Sequence, residues 1–238
     1  MDDVRFLGFD VFGTVVDWRN SVARELRSFL PRHGLADLDP ASFADEWRGM
    51  YQPSMDPIRR GDRPWVRLTV LHRENLESVL RHHHVDPAHI PEAELPELTR
   101  AWERLDPWPD SVPGLTRLKT RFAIGTISNG NISLMMWLAK YGGLPWDVIA
   151  GAEVTKTYKP QPETYLGAAE MLGLRPHECA LVAAHNDDLR AARACGLKTA
   201  FIPRPTEHGP AQTKDLRAEE AWDVVADDLI DLAKRLGC

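Results

Sequence analysis

Cysteine is scarce in this 238-residue chain. Cys179, Cys195 and Cys238 are odd in number and none sits in a Cys-x-x-Cys pair, which excludes a disulfide framework and a thiolate zinc site. A long basic block is missing as well, and the formal net charge is −6. No nucleic acid and no anionic membrane is therefore expected as a partner. A small anionic substrate stays open, because one placed arginine can hold a carboxylate. No run approaches the roughly 20 apolar residues of a bilayer span. The opening MDDVRFLGFD lacks a basic stretch followed by a long apolar one, so it does not read as a signal peptide and a cytoplasmic location is expected. Internal repeats and low-complexity tracts are also missing. The length admits one large domain or a core with a smaller inserted one.

What the chain does have is a set of short apolar runs, each closed by polar residues. Val4–Asp10, Phe122–Ile127, Cys179–Ala184 and Lys198–Ile202 read as buried strands, with Val148–Ala150 as a short fifth. Helical patterns at Asn131–Tyr141, Pro162–Leu172 and Asp187–Cys195 alternate with them, the last two stopping at Gly173 and Gly196. Such alternation predicts an α/β fold, a doubly wound parallel sheet covered on both faces. Residues 18–105 break it. They carry 3.6-residue apolar periodicity at Asn20–Leu30, Ala41–Met50 and Pro64–His84, which predicts an inserted helical cap. The proline-rich DPWPDSVPG at 106–114 marks the return, so residues 1–17 and 106–238 are assigned to the core.

Ligands of open parallel sheets sit beyond the carboxyl ends of the strands. Asp10, Ser128, Asn129 and the cluster His185–Asp188 all fall at or just past those ends. On residue type alone Asp10 is either a polar strand-closing residue or a reacting carboxylate. Ser128 and Asn129 fit helix capping, and backbone N–H groups at that helix start favour an anion. Asp187 and Asp188 suit a helix N-terminus.

Taken in order, the DVFGT after the first strand, the SNG after the second, the Lys159-Pro160 pair and the acidic AAHNDD after the third resemble the haloacid dehalogenase superfamily, and within it the L-2-haloacid dehalogenase branch. The resemblance runs over nearly the whole chain, cap included. It implies a Rossmann-like core, with Asp10 as a nucleophile that forms an ester. Phosphatases of the superfamily carry a second aspartate two residues later, which protonates the leaving oxygen. Here that place holds Phe12, and a halide needs no proton to leave. The dehalogenases usually carry tyrosine there, so Phe12 is one hydroxyl short. The phosphatases also hold Mg²⁺ with two aspartates four residues apart; counting back from Gly196, these fall on Asp188 and Ala184, and alanine cannot ligate. No cofactor and no metal is expected.

The resemblance further implies that Lys159 pairs with Asp10 and that Ser128, Asn129 and Arg48 hold the substrate carboxylate and the halide. It implies a water-orienting role for Asp188. His185 departs from the usual pattern; its ordinary pKa of about 6.5 suits a base, and it is expected to activate the hydrolytic water together with Asp188, with Asn186 a weaker candidate. Tyr165 fits an active-site tyrosine of the family or a core helix residue. Trp65 and Trp47 are expected to wall the pocket or fill the core. The expected reaction is hydrolytic dehalogenation of short 2-haloalkanoic acids, haloacetates included, with inversion at C2. A phosphatase acting on a small metabolite and a catalytically silent binding protein are the alternatives. Oligomeric state is left open, and a homodimer is compatible with the resemblance.

Overall fold

The structure, a computed structural model, describes Met1–Cys238 in full. Six strands form one parallel sheet in the order β5-β4-β1-β6-β7-β8. They are β1 (Phe6–Phe9), β4 (Ala123–Ser128), β5 (Val148–Gly151), β6 (Cys179–Ala183), β7 (Lys198–Phe201) and β8 (Val224–Val225). The runs are apolar throughout because both faces are covered. Leu7 and Phe9 enter one core layer with Val182, while Phe6 enters the other with Leu181 and Ala183, as the two-residue alternation of a strand requires. Gly8 leaves room for a side chain of β4: a Cβ there would lie 2.4 Å from the Ile127 side chain.

A two-stranded antiparallel ribbon joins the sheet to a helical block. β2 (Val16–Asp17) pairs with β3 (Asp106–Pro107). Between them run α1 (Trp18–Arg32), α2 (Pro40–Gly49), α3 (Tyr51–Arg59), α4 (Leu68–His82) and α5 (Glu94–Thr99). Local chemistry starts these helices. Asp17 accepts a bond from Asn20 N at 3.1 Å, and Asp39 accepts one from Ser42 N at 2.9 Å with Pro40 in the first turn.

One expectation shifts here. The helix expected over Pro64–His84 begins only at Leu68. Arg67 is extended at its N-cap (φ −65°, ψ 147°), and its guanidinium leaves the block to pair with Glu153 at 2.7 Å. Residues 60–67 before α4 are not helical, and α3 lies between them and α2. In the core, α6 (Ser111–Leu118), α7 (Ile132–Gly142), α8 (Ala152–Thr155), α9 (Pro162–Met171), α10 (Asn186–Ala194) and α11 (Leu229–Arg235) flank the sheet. No helix is long and apolar enough to cross a membrane, and all three cysteines are free thiols.

Candidate active site

The carboxyl ends of β1, β4 and β6 open into a cleft of about 700 Å³ between the sheet and the helical block. Asp10 follows β1 at its floor and is 9% exposed. Both of its oxygens are held. Oδ1 accepts from Lys159 Nζ at 3.2 Å; Oδ2 accepts from the Thr14 hydroxyl at 2.9 Å and lies 3.1 Å from His185 Nδ1. Thr14 in turn accepts from Ala184 N at 2.8 Å. The Gly-Thr pair thus ties the loop after β1 to the end of β6.

Lys159 is buried between two carboxylates. Its Nζ is 2.6 Å from Asp188 Oδ2, and the other oxygen of Asp188 accepts from the Tyr165 hydroxyl at 2.6 Å. The Lys159 backbone N–H donates to Asn129 Oδ1 at 2.8 Å, so Asn129 fixes the loop that carries the lysine. Burial works against the charged form of Asp10, but the Lys159 ammonium and the hydrogen bond with His185 hold its carboxyl well below the usual range. Burial raises Asp188, with the neighbouring Asp10 charge adding to it against the pull of Lys159. Lys159 itself is pushed up: the two carboxylates outweigh its desolvation.

His185 leads into α10 and lies between two carboxylates. Nδ1 faces Asp10, and Nε2 is 2.8 Å from Glu207 Oε2. Glu207 is 2% exposed, and its second oxygen accepts from the Trp18 indole at 3.0 Å. Burial disfavours the imidazolium, but the Glu207 and Asp10 charges raise His185 well above its ordinary value. Held between two carboxylates, the ring favours its protonated form, which can donate to both sides. His185, Glu207 and His208 also bring donor atoms within 4.8 Å of one another, but the first two are already joined by their own hydrogen bond.

On the opposite wall Arg48, near the end of α2, presents its guanidinium 3.8 Å from the Tyr51 ring centroid and within 6 Å of those of Phe12 and Trp18. Its Nη1 is buried without a partner. Phe12 is 2% exposed and meets Trp102 edge-on at 5.8 Å.

Several expected residues do not meet as predicted. Asp188 does not touch His185, because Lys159 and Tyr165 occupy both its oxygens; the partners of His185 are Asp10 and Glu207. The Ser128 hydroxyl is fully buried and accepts from Gly130 N at 3.1 Å, so it does not line the cleft. The helix start expected to receive a substrate anion is taken by the protein's own Glu153, which accepts from Ile132 N at 2.7 Å. Trp65 lies outside the cleft, stacked on Tyr158 at 6.5 Å with Lys156 over its ring. Trp47 is buried within the cap, donating to His72 O at 2.8 Å. Asn186 anchors the C-terminal loop: it donates to Asp215 and Arg217 and accepts from Trp222. Asp187 is on the surface beside Arg190. Glu207 and Thr14 are the residues that sequence reasoning missed. The glycine before Thr14 was the available signal, since its φ is +87° and a Cβ on Gly13 would fall 2.0 Å from Glu207 Oε1.

Residues 4–196 match the family model of haloacid dehalogenase-like hydrolases. A crystal structure of a defluorinating L-2-haloacid dehalogenase is 54% identical, covering 99% of this chain and 96% of its own, with a TM-score of 0.96. A second L-2-haloacid dehalogenase structure is 46% identical over 98% of this chain and 99% of its own, with a TM-score of 0.91. The (S)-2-haloacid dehalogenase 4A of Burkholderia cepacia is 25% identical over 98% of this chain and its own full length.

Proposed function

The chain belongs to the haloacid dehalogenase-like hydrolases, and from that premise we propose that it hydrolyses the carbon–halogen bond of short 2-haloalkanoic acids. The observation that carries this is an ionised, fully held Asp10 in the same cleft as a half-buried Arg48 whose Nη1 has no partner. Substrate enters with its carboxylate on Arg48 and the Asn129 amide. Asp10 attacks C2 from behind the halogen and an aspartyl ester forms as halide leaves. Arg48 stays charged throughout, so its donors serve the departing anion. Fluoride is the halide that gains most from such donors, and the 54% identical relative is itself defluorinating. C–F substrates therefore belong in any substrate screen.

Water then attacks the carboxyl carbon of the ester. The configuration at C2 is inverted, and an L-substrate yields a D-2-hydroxy acid. His185 is the base for this water, and Lys159 steadies the Asp10 carboxyl. Asp188 acts on Lys159, holding its ammonium at 2.6 Å. A phosphatase reading fits less well: Phe12 offers no proton to a leaving alkoxide, and Ala184 offers no ligand to Mg²⁺. Turnover is expected in the presence of a chelator.

The test is a single turnover in ¹⁸O-water. Label in the Asp10 side chain after hydrolysis supports the ester route; label confined to the product acid overturns it. A halide-release screen over fluoro-, chloro- and bromoacetate and both enantiomers of 2-chloropropionate then fixes the substrate.

A further inference from the structure

The loop after β7 contributes one group that the reaction as written does not use. We propose that Glu207 is a positioning residue for ester hydrolysis: it keeps the proton on His185 Nε2, so that esterification of Asp10 leaves Nδ1 as a free base beside the ester carbonyl. The inference rests on the reading of Asp10 as the nucleophile.

Three features of the structure carry it. The imidazole is gripped at both ends, at 3.1 Å by Asp10 Oδ2 and at 2.8 Å by Glu207 Oε2. Glu207 is fixed rather than mobile, since it is 2% exposed and its Oε1 takes the Trp18 indole proton. The backbone also makes room for it: Gly13 passes so close to Glu207 that any side chain there would collide with the carboxylate. A glutamate tucked against the glycine of the nucleophile loop, and bonded to the first residue of α1, is poorly explained as surface charge.

The chemistry follows from charge. Before reaction two carboxylates flank His185, and the ring holds both protons. Attack on C2 forms the Asp10–carbon bond, breaks the carbon–halogen bond and removes the negative charge from Asp10. One of the two interactions that favoured the imidazolium is then gone, and Nδ1 releases its proton to solvent. Glu207 retains the Nε2 proton, so the lone pair appears at Nδ1, facing the ester. Water adds to the carboxyl carbon as Nδ1 takes its proton. The tetrahedral intermediate collapses, and the departing alkoxide recovers that proton as the hydroxy acid. Asp10 is left as a carboxylic acid, which returns its proton to Nδ1 and restores the starting ion pair. Over the cycle one water is consumed, and one halide and one proton are released.

The experiment is rapid-quench halide release and intact-protein mass spectrometry on wild type, His185→Gln and Glu207→Gln with 2-chloropropionate. For Glu207→Gln we expect a burst of about one halide per enzyme at a rate within a fewfold of wild type. Steady-state turnover should then fall by about 10²-fold, the low end of general-base contributions, with the ester adduct accumulating. His185→Gln should accumulate the same adduct. A burst and steady state reduced equally, or turnover within twofold of wild type, overturns the proposal. If His185→Gln accumulates ester and Glu207→Gln does not, this inference alone fails. If no variant gives an adduct and ¹⁸O enters only the product, the nucleophile reading fails with it. Should Glu207→Gln not fold, Trp18→Phe removes the indole donor to Glu207 together with part of a ring packed near Arg48, and is read on the ratio of the two phases: hydrolysis slowed more than the burst supports the role, and equal loss in both phases overturns it.

Discussion

On the core side of the cleft the charged groups around the nucleophile all have partners. Asp10 receives three, Asp188 two, and Lys159 lies between them. On the cap side several buried polar atoms lack one. Arg48 Nη1 has no partner, and behind it both ring nitrogens of His72 and the Trp102 indole N–H are buried without one. Burial and the nearby Arg48 charge push His72 well below its ordinary value, and since Arg59 is paired with Asp56, Arg48 is the cation on this wall without a carboxylate partner. A buried donor without an acceptor costs roughly 1–3 kcal/mol, a cost that an incoming carboxylate or halide removes at Arg48. The core wall is finished before substrate arrives, and the cap wall is completed by it. Substitutions in the core should therefore act on kcat, and those in the cap on KM.

The largest effect belongs to Asp10. Asp10→Ala should abolish halide release even in a single turnover, a loss on the order of 10⁴-fold or more, as for other covalent nucleophiles. Stopped-flow halide detection is the measurement, and a residual burst would break the distinction at its strongest point. Lys159→Met follows, with kcat reduced by roughly 10²–10³-fold, the range for one preorganised electrostatic donor, and KM changed much less. The lysine touches Asp10 and Asp188 but no donor of the cap wall, so a dominant KM effect would show that the two walls are not separate.

The core wall was largely legible in the sequence. Asp10, Asn129 and His185–Asp188 sit at the ends of strands that are buried on both faces and so appear as apolar runs, each following its run within a few positions, whereas Lys159 and Tyr165 were pointed to only by the resemblance to the family. Glu207 was not legible. It sits in a loop without periodicity, 22 residues from His185 and 189 from Trp18, and only the folded chain brings the three together. The cap was harder for a related reason. Helical periodicity finds buried faces but does not say which member of a face meets the cleft. Trp47 and Arg48 are adjacent on α2, yet one fills the cap core and the other lines the site.

Arg48→Lys tests the cap wall directly. An ammonium keeps the charge but loses the planar fork that grips a carboxylate. KM should rise about 10- to 100-fold, or roughly 1.4–2.8 kcal/mol of binding, with kcat reduced less. A kcat loss larger than the KM change would place Arg48 with the core group.

Stability should divide the walls as well. His185 is raised in the folded state, so its contribution is complete below the unfolded value of 6.5 and is lost as pH rises through the folded one. Asp10 and Glu207 are lowered, so theirs are present above the unfolded values of 3.8 and 4.5 and fade as pH falls through the folded ones. The stability gap between wild type and His185→Gln should be greatest between about pH 5 and 6.5 and should narrow on the alkaline side, where wild-type His185 loses its charge. Thermal melts across pH read this directly. A gap that widens with alkalinity would contradict a ring held as a cation by two carboxylates.

The smallest expected effect concerns Trp65, which its place in the sequence put in the pocket and the fold does not. It precedes α4, stacks on Tyr158 and lies under Lys156. Tyr158 donates to Val66 O at 2.6 Å, so this cluster joins the cap to the core along a seam outside the cleft. Arg67–Glu153 and Thr69–Asn131 lie on the same seam. Trp65→Phe keeps an aromatic face for Tyr158 and removes an indole N–H that has no partner. It should leave kcat and KM within about twofold, with a loss of stability nearer that of a conservative packing change than of a cavity, below about 1.5 kcal/mol. A large rise in KM from this variant, with melting unchanged, would mean that the seam moves during turnover and that the cap wall extends to Trp65 when substrate is bound.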